Sequence, residues 1–115
     1  MNHSLLQSLL EESCVAFDKD ATALDSASAM QLCEVVDDWE IGPENDSIYR
    51  DFKFRNYYET MAFVNSVAWI AHQQDHHPDL TVSYNHCKVT YSTHSVGGLS
   101  RNDFICAARI NQLFV

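Results

Sequence analysis

The stretch over residues 56–76 constrains this chain more than any other, because it reads as one long helix that cannot continue. Met61, Val64, Ala68 and Ala71 recur at spacings of three and four, with Phe63, Val67 and Ile70 beside them. That is the pattern of a helix burying one stripe. Pro78 disfavours the α conformation at His77, so the helix is expected to stop near His76. Carbonyls at a helix C-terminus carry partial negative charge and favour a protonated imidazole. The doublet His76-His77 therefore falls where chain geometry and electrostatics both act on histidine.

Around this helix the remaining segments suggest short elements. Residues 1–25 read as a peripheral extension. Within it Ser4 can cap a short helix carrying Leu5, Leu6, Leu9 and Leu10, followed by polar Asp18-Lys19-Asp20. A helix is expected over residues 28–36, with Met30, Leu32, Cys33 and Val36 as its apolar contacts, and a short strand at Trp39-Glu40-Ile41. Gly42-Pro43-Glu44-Asn45-Asp46 is turn chemistry. From Ser47 a second strand alternates Ile48, Phe52 and Phe54 against Tyr49, Asp51 and Lys53, with Arg50 breaking the apolar set.

Beyond Pro78, residues 81–84 and 88–93 form a hairpin candidate joined at Asn85-His86, with Val89, Tyr91 and Thr93 on one face. Gly97-Gly98 makes a corner, and Ser100-Arg101-Asn102-Asp103 resembles a capping box opening a last helix. The order α-β-β-α-β-β-α predicts an α+β domain over residues 26–115. Its four-stranded antiparallel sheet carries helices packed on one face. Such a sheet has exposed edges, which dimerisation would cover.

A chain of 115 residues that is 46% hydrophobic is long enough for one domain with its own core. A net charge of −9, with only seven Lys and Arg and no basic run, argues against nucleic-acid binding. Cys14, Cys33, Cys87 and Cys106 contain no CxxC pair, so a structural zinc site or redox motif is unsupported. The leucine-rich N-terminus is too short for a membrane span and lacks signal-peptide features. The expectation is a cytoplasmic protein with free thiols.

His76, His77 and His94 stand at two chain breaks that a folded domain can bring together. Histidine exchanges protons near neutral pH, so an acid–base site is the functional reading, with Trp39 as a candidate aromatic wall. Taken singly, each histidine is better explained as a solvated loop residue; the doublet and the third together bring the two readings level. His72 and His76 stand at i and i+4, as in zinc metalloproteases. The intervening Gln73-Gln74-Asp75 lacks their glutamate, and no metal is expected. His3 and His86 read as surface residues, and the pairs Glu11-Glu12 and Asp37-Asp38 as solvated helix ends. Asp103 is a helix-start acid with a possible second task in orienting an imidazole.

Several separated elements together resemble the pterin-4a-carbinolamine dehydratase family. They are His76-His77-Pro78, the aromatic Tyr84, Ser92-Thr93-His94-Ser95, and Gly98-Leu99-Ser100-Arg101-Asn102-Asp103-Phe104. Trp39 falls at the family's tryptophan, and His72 fills a position that is acidic in many members. The resemblance runs from about Ser28 to the C-terminus, and the segment from Arg101 to Arg109 is closer to bacterial members than to animal ones. It implies dehydration of 4a-hydroxytetrahydrobiopterin to quinonoid dihydropterin, recycling the cofactor of aromatic amino-acid hydroxylases. The pterin is then the substrate, and no metal or cofactor is needed. By motif position His76, His77 and His94 are implied as catalytic, and Pro78, Thr93, Ser95 and Val96 as pocket lining. Trp39 adds a substrate contact, with His72 and Asp103 in support. The resemblance also implies dimers or tetramers. Animal relatives double as dimerisation cofactors of a homeodomain transcription factor, and some bacterial and plant relatives are linked to molybdenum-cofactor metabolism. A non-catalytic pterin-binding or interaction role is the alternative to catalysis.

Overall fold

Alternation in two central strands builds the sheet. In β2 (Ile48–Lys53) the side chains of Ile48 and Phe52 are buried, and in β4 (His86–Tyr91) those of Cys87, Val89 and Tyr91. Asp51, Lys53 and Lys88 between them face solvent. The two strands pair antiparallel from Ile48↔Tyr91 to Lys53↔His86, which puts the buried residues of both on one face. β1 (Glu40–Ile41) adds to β2 and β3 (Asp79–Val82) to β4, giving the antiparallel order β1-β2-β4-β3. This computed structural model describes residues 3–115, apart from the side chain of His3, so the surface reading of His3 lies outside the described residues.

The helices complete the expected α+β architecture: α1 (His3–Glu11), α2 (Ser26–Cys33), α3 (Tyr57–Gln74) and α4 (Arg101–Asn111). α2 begins and ends earlier than its sequence pattern suggested, because Asp25 caps it by accepting from the Ser28 amide. Both hairpin strands also begin two residues earlier than expected. Their turn is held from outside by Phe54 N–H on the Asn85 carbonyl (2.8 Å) and the Thr60 hydroxyl on the Tyr84 carbonyl (2.9 Å). An even shift preserves the faces, so Val89 and Tyr91 still point inward.

α3 turns to the core the flanking residues Phe63, Val67 and Ile70, and of the other set only Ala71. Thr60, Phe63, Val67, Ile70 and Ala71 are buried, whereas Ala68 is exposed and Met61 and Val64 only half-buried. Both stripes have helical period, and the larger side chains take the interior: Phe63 packs at 4.4 Å, centroid to centroid, on Phe52 and at 5.0 Å on Phe54. Arg50, the break in the β2 pattern, lies over the Phe52 ring at 4.3 Å. It donates to Asn111 Oδ1 at 2.7 Å, so the end of α4 supplies its acceptor.

α4 is buried over nearly its whole circumference, from Asn102 to Ala108 and at Ile110. Phe104, Ala107 and Ala108 pack inward, and the N-terminal segment covers another side. Leu9 of α1 is fully buried, a contribution of about 1.5–3 kcal/mol. Glu12 accepts from Arg101 at 2.6 and 2.8 Å, which lowers the Glu12 pKa, and its carbonyl accepts from Arg109 at 2.6 Å. Asn102 exchanges two hydrogen bonds with the Val15 backbone. Residues 3–15, read from sequence as peripheral, are therefore packed into the fold, and Glu12 is paired rather than solvated. An amphipathic leucine stripe this short gives no sign of its partner until α4 is in place.

Candidate active site

The end of α3 places the first histidine. Asp75 adopts the left-handed conformation (φ 50°, ψ 44°), its amide bonds to the His72 carbonyl and the His76 amide to the Ala71 carbonyl at 3.1 Å. This is a Schellman ending built without glycine. It turns His76 out of the helix and breaks the i, i+4 relation with His72 on which the metal reading rested. The His72 ring instead lies 5.7 Å from Trp69 on the exposed side of α3. Among the described residues no group of three or more His, Cys, Asp or Glu gathers as a metal site.

His76 is then held on three sides. Its ring stacks on Tyr91 at 5.1 Å, its carbonyl accepts from the Tyr91 hydroxyl at 3.1 Å, and Nε2 lies 2.7 Å from Asp103 Oδ1. Asp103 is fully buried, and its Oδ2 accepts from the Thr93 hydroxyl at 2.8 Å and the Ser100 amide at 2.9 Å. The Ser100 hydroxyl, 2.6 Å from that of Thr93, caps the Asn102 amide, completing the expected capping box. One carboxylate thus closes the first turn of α4 with one oxygen and orients an imidazole with the other. Burial pulls the His76 pKa down, but the hydrogen bond and charge of Asp103, joined by Cys14 and Asp75, outweigh it, and the pKa is raised.

The second chain break comes to the same place. After β4, Thr93 bridges back to Gly98, its amide donating to the Gly98 carbonyl at 2.7 Å. Gly97 takes φ 70°, the left-handed corner that glycine adopts without strain, and His94–Val96 form a single turn between them. His76, His77 and His94 consequently line one cavity of about 400 Å³, together with Thr93 and Ser95. His77 and His94 are exposed and His76 half-buried, so one imidazole is fixed and two face the opening.

Asp75, Asp79, Thr90 and Ser92 complete the wall. Sequence reasoning passed over them as a site. Thr90 and Ser92 alternate with Val89, Tyr91 and Thr93, and that polar side of the strand is the available signal, while Asp75 and Asp79 carry none beyond flanking the doublet. Pro78 and Val96 are half-buried but do not line the cavity. Trp39 is buried in the core, its indole N–H donating to Asn111 Oδ1 at 2.9 Å. It packs on Phe52 and on Tyr91, at 6.1 and 6.4 Å between centroids, so it is one ring removed from His76 and is not a wall of this cavity. His86 is half-buried, its Nδ1 3.3 Å from Asp51 Oδ1. A second cavity of about 300 Å³ shares Asp75, His76, Thr93 and Ser95 with the first, and residues 14–17 form its far wall.

An antiparallel sheet backed by helices, with three histidines and a buried aspartate converging beside it, defines a class of small α+β proteins with an imidazole-lined pocket. Residues 22–113 match the family model of pterin 4 alpha carbinolamine dehydratase, and the chain belongs to that family. A relative from Nitrosospira multiformis, named provisionally for the same dehydratase, is 48% identical over 109 residues, covering 95% of each chain. One from Xanthomonas campestris, named in the same way, is 55% identical over 91 residues, 79% of this chain and 77% of its own. Among solved structures, a Brucella melitensis protein described as a transcriptional coactivator/pterin dehydratase superposes with a TM-score of 0.77. It is 28% identical, over 80% of this chain and 98% of that one. Among the described residues no helix is long and apolar enough to cross a membrane.

Proposed function

We propose that the chain is a 4a-hydroxytetrahydrobiopterin dehydratase acting by histidine acid–base catalysis on a pterin bound in the 400 Å³ cavity. The observation that carries this reading is the 2.7 Å contact of His76 Nε2 with buried Asp103, in a cavity that His77 and His94 also line. With Nε2 committed to the carboxylate, Nδ1 is the nitrogen left for proton exchange. His76, whose protonated form is favoured by Asp103, is the acid and delivers a proton to the C4a hydroxyl as the C–O bond breaks. A neutral imidazole, His77 or His94, takes the proton from N5, whose electrons form the C4a–N5 double bond of the quinonoid product. Water is the other product, and the pterin needs no further cofactor. General acid–base catalysis of this kind contributes about 10²–10⁴-fold. Asp75 and Asp79 supply carboxylates suited to the amino and N–H edge of a pterin ring.

The same reading places the protein in the cytoplasm, recycling the cofactor of aromatic amino-acid hydroxylases. It also has the chain self-associating through the unpaired edges of β1 and β3. The test is dehydration of freshly generated 4a-hydroxytetrahydropterin followed by ultraviolet absorbance. Wild type should accelerate it, and a His76→Ala/His94→Ala double variant should fall to the buffer rate. Well-folded wild type without acceleration would leave a pterin-binding or protein-interaction role.

A further inference from the structure

Two of the four thiols face each other behind the histidine cavity. Cys14 Sγ lies 3.7 Å from Cys106 Sγ, although the two residues are far apart in sequence. Cys106 is fully buried in α4, whereas Cys14 is half-exposed and lines the second cavity, where a small oxidant can reach it. The remaining cysteines lack this arrangement: Cys87 is fully buried in β4, and the Cys33 thiol contacts the Trp39 carbonyl at 3.3 Å. A disulfide needs sulfurs about 2.05 Å apart. Cys106 is fixed by its helix, and Cys14 lies outside regular structure with its amide held by Gln74 Oε1 at 2.7 Å. The Cys14 thiol is also 3.5 Å from the Asn102 carbonyl, so closing the gap draws the Cys14 side chain from that carbonyl toward Cys106.

We propose that Cys14 and Cys106 are an oxidative modification site, a dithiol that a hydroperoxide converts to a disulfide. The Cys14 thiol gives up its proton and the thiolate attacks the peroxide; the O–O bond breaks, Cys14 becomes a sulfenic acid, and the hydroxide or alkoxide released takes up that proton and leaves as water or an alcohol. The Cys106 sulfur then attacks the Cys14 sulfur, and the hydroxyl leaves as water with the Cys106 proton. Two thiols supply the two electrons that reduce one peroxide. The direction of attack agrees with the electrostatics. The contact with Cys106 lowers the Cys14 pKa against the effect of burial, with help from His76, while the same contact and burial raise that of Cys106. The bridge would pin residues 14–17, the far wall of the second cavity, to α4 directly beside His76. It stands independently of the dehydratase reading.

The experiment treats the full chain, native and reduced, with hydrogen peroxide and follows intact mass and peptide maps. The expected result is loss of two hydrogen masses and a Cys14 peptide joined to a Cys106 peptide. Cys33 and Cys87 should stay alkylatable, dithiothreitol should restore the dithiol, and amide exchange at Ala16 and Phe17 should slow in the bridged form. Cys106→Ala should stop at an oxygen adduct on Cys14, and Cys14→Ser should form no bridge; the second variant lies on a loop and serves if the first folds poorly. Oxygen adducts on wild-type Cys14 without a bridge, a bridge through Cys33 or Cys87, or a Cys14 inert to peroxide would each overturn the site. Unchanged exchange in a bridged protein would overturn the fixing of the wall.

Discussion

His76 Nε2 stands 2.7 Å from Asp103 Oδ1, and Asp103 has no exposed surface. A histidine held by a buried carboxylate is fixed in orientation, and its charged form is favoured. Asp103→Asn keeps the shape and removes the charge. The His76 pKa, read by imidazole NMR, should fall below its wild-type value, and kcat should drop about 10²-fold or more. In the proposed mechanism His76 acts as the acid and must be protonated, so the alkaline limb of the kcat profile should move to lower pH. A merely structural role for Asp103 would lower stability without moving that limb.

The same pair makes stability depend on pH. The folded pKa of His76 is raised above its ordinary 6.5, so its contribution is fully present below that value and lost as pH rises through the folded pKa. Glu12 acts in the opposite sense: lowered by Arg101 from 4.5, it stabilises above that value and loses its effect as pH falls. Urea midpoints should therefore decline on both sides of a plateau between these two titrations. In Asp103→Asn the alkaline decline should flatten; an unchanged slope above the ordinary histidine value would remove His76 as its origin.

Leu9→Ala tests whether the N-terminal segment belongs to the core. Leu9 is fully buried with α1 against α4, so its truncation should cost about 2–5 kcal/mol in equilibrium unfolding. A cost near zero would return residues 3–15 to the status of a peripheral arm.

His94 is exposed at the cavity mouth, so folding and chemistry separate there. His94→Ala should change stability by no more than about 0.5 kcal/mol. Under the proposed mechanism it should lower kcat for pterin dehydration by about 10²–10⁴-fold. Full activity in the folded variant would take His94 out of the mechanism.

Trp39→Phe addresses the tryptophan that sequence suggested as a pocket wall. Its indole N–H is bonded to Asn111 and its ring packs in the core, so the change should cost about 1–3 kcal/mol. KM for the pterin should stay at its wild-type value. A raised KM at unchanged stability would put Trp39 back in the binding site.

What the sequence alone determined is whatever depends on neighbours along the chain. Alternation in β2 and β4, the helical period over residues 57–74, the stop before Pro78 and the capping box at Ser100 are local patterns, and each recurs in the fold. The histidine motifs were legible for the same reason, since His76-His77 and His94 each mark the end of a regular element. Tertiary structure alone decided which of two helical stripes on α3 faces the core, because only the Phe52, Phe54 and Phe63 cluster breaks their equivalence. It alone joined Asp103 to His76, moved Trp39 behind Tyr91, and packed Leu9, Glu12 and Cys14 on α4. These relations link residues that are close only after the chain has folded. A short-range pattern cannot encode them, because their energies come from burial and hydrogen bonds that do not exist until the core has closed.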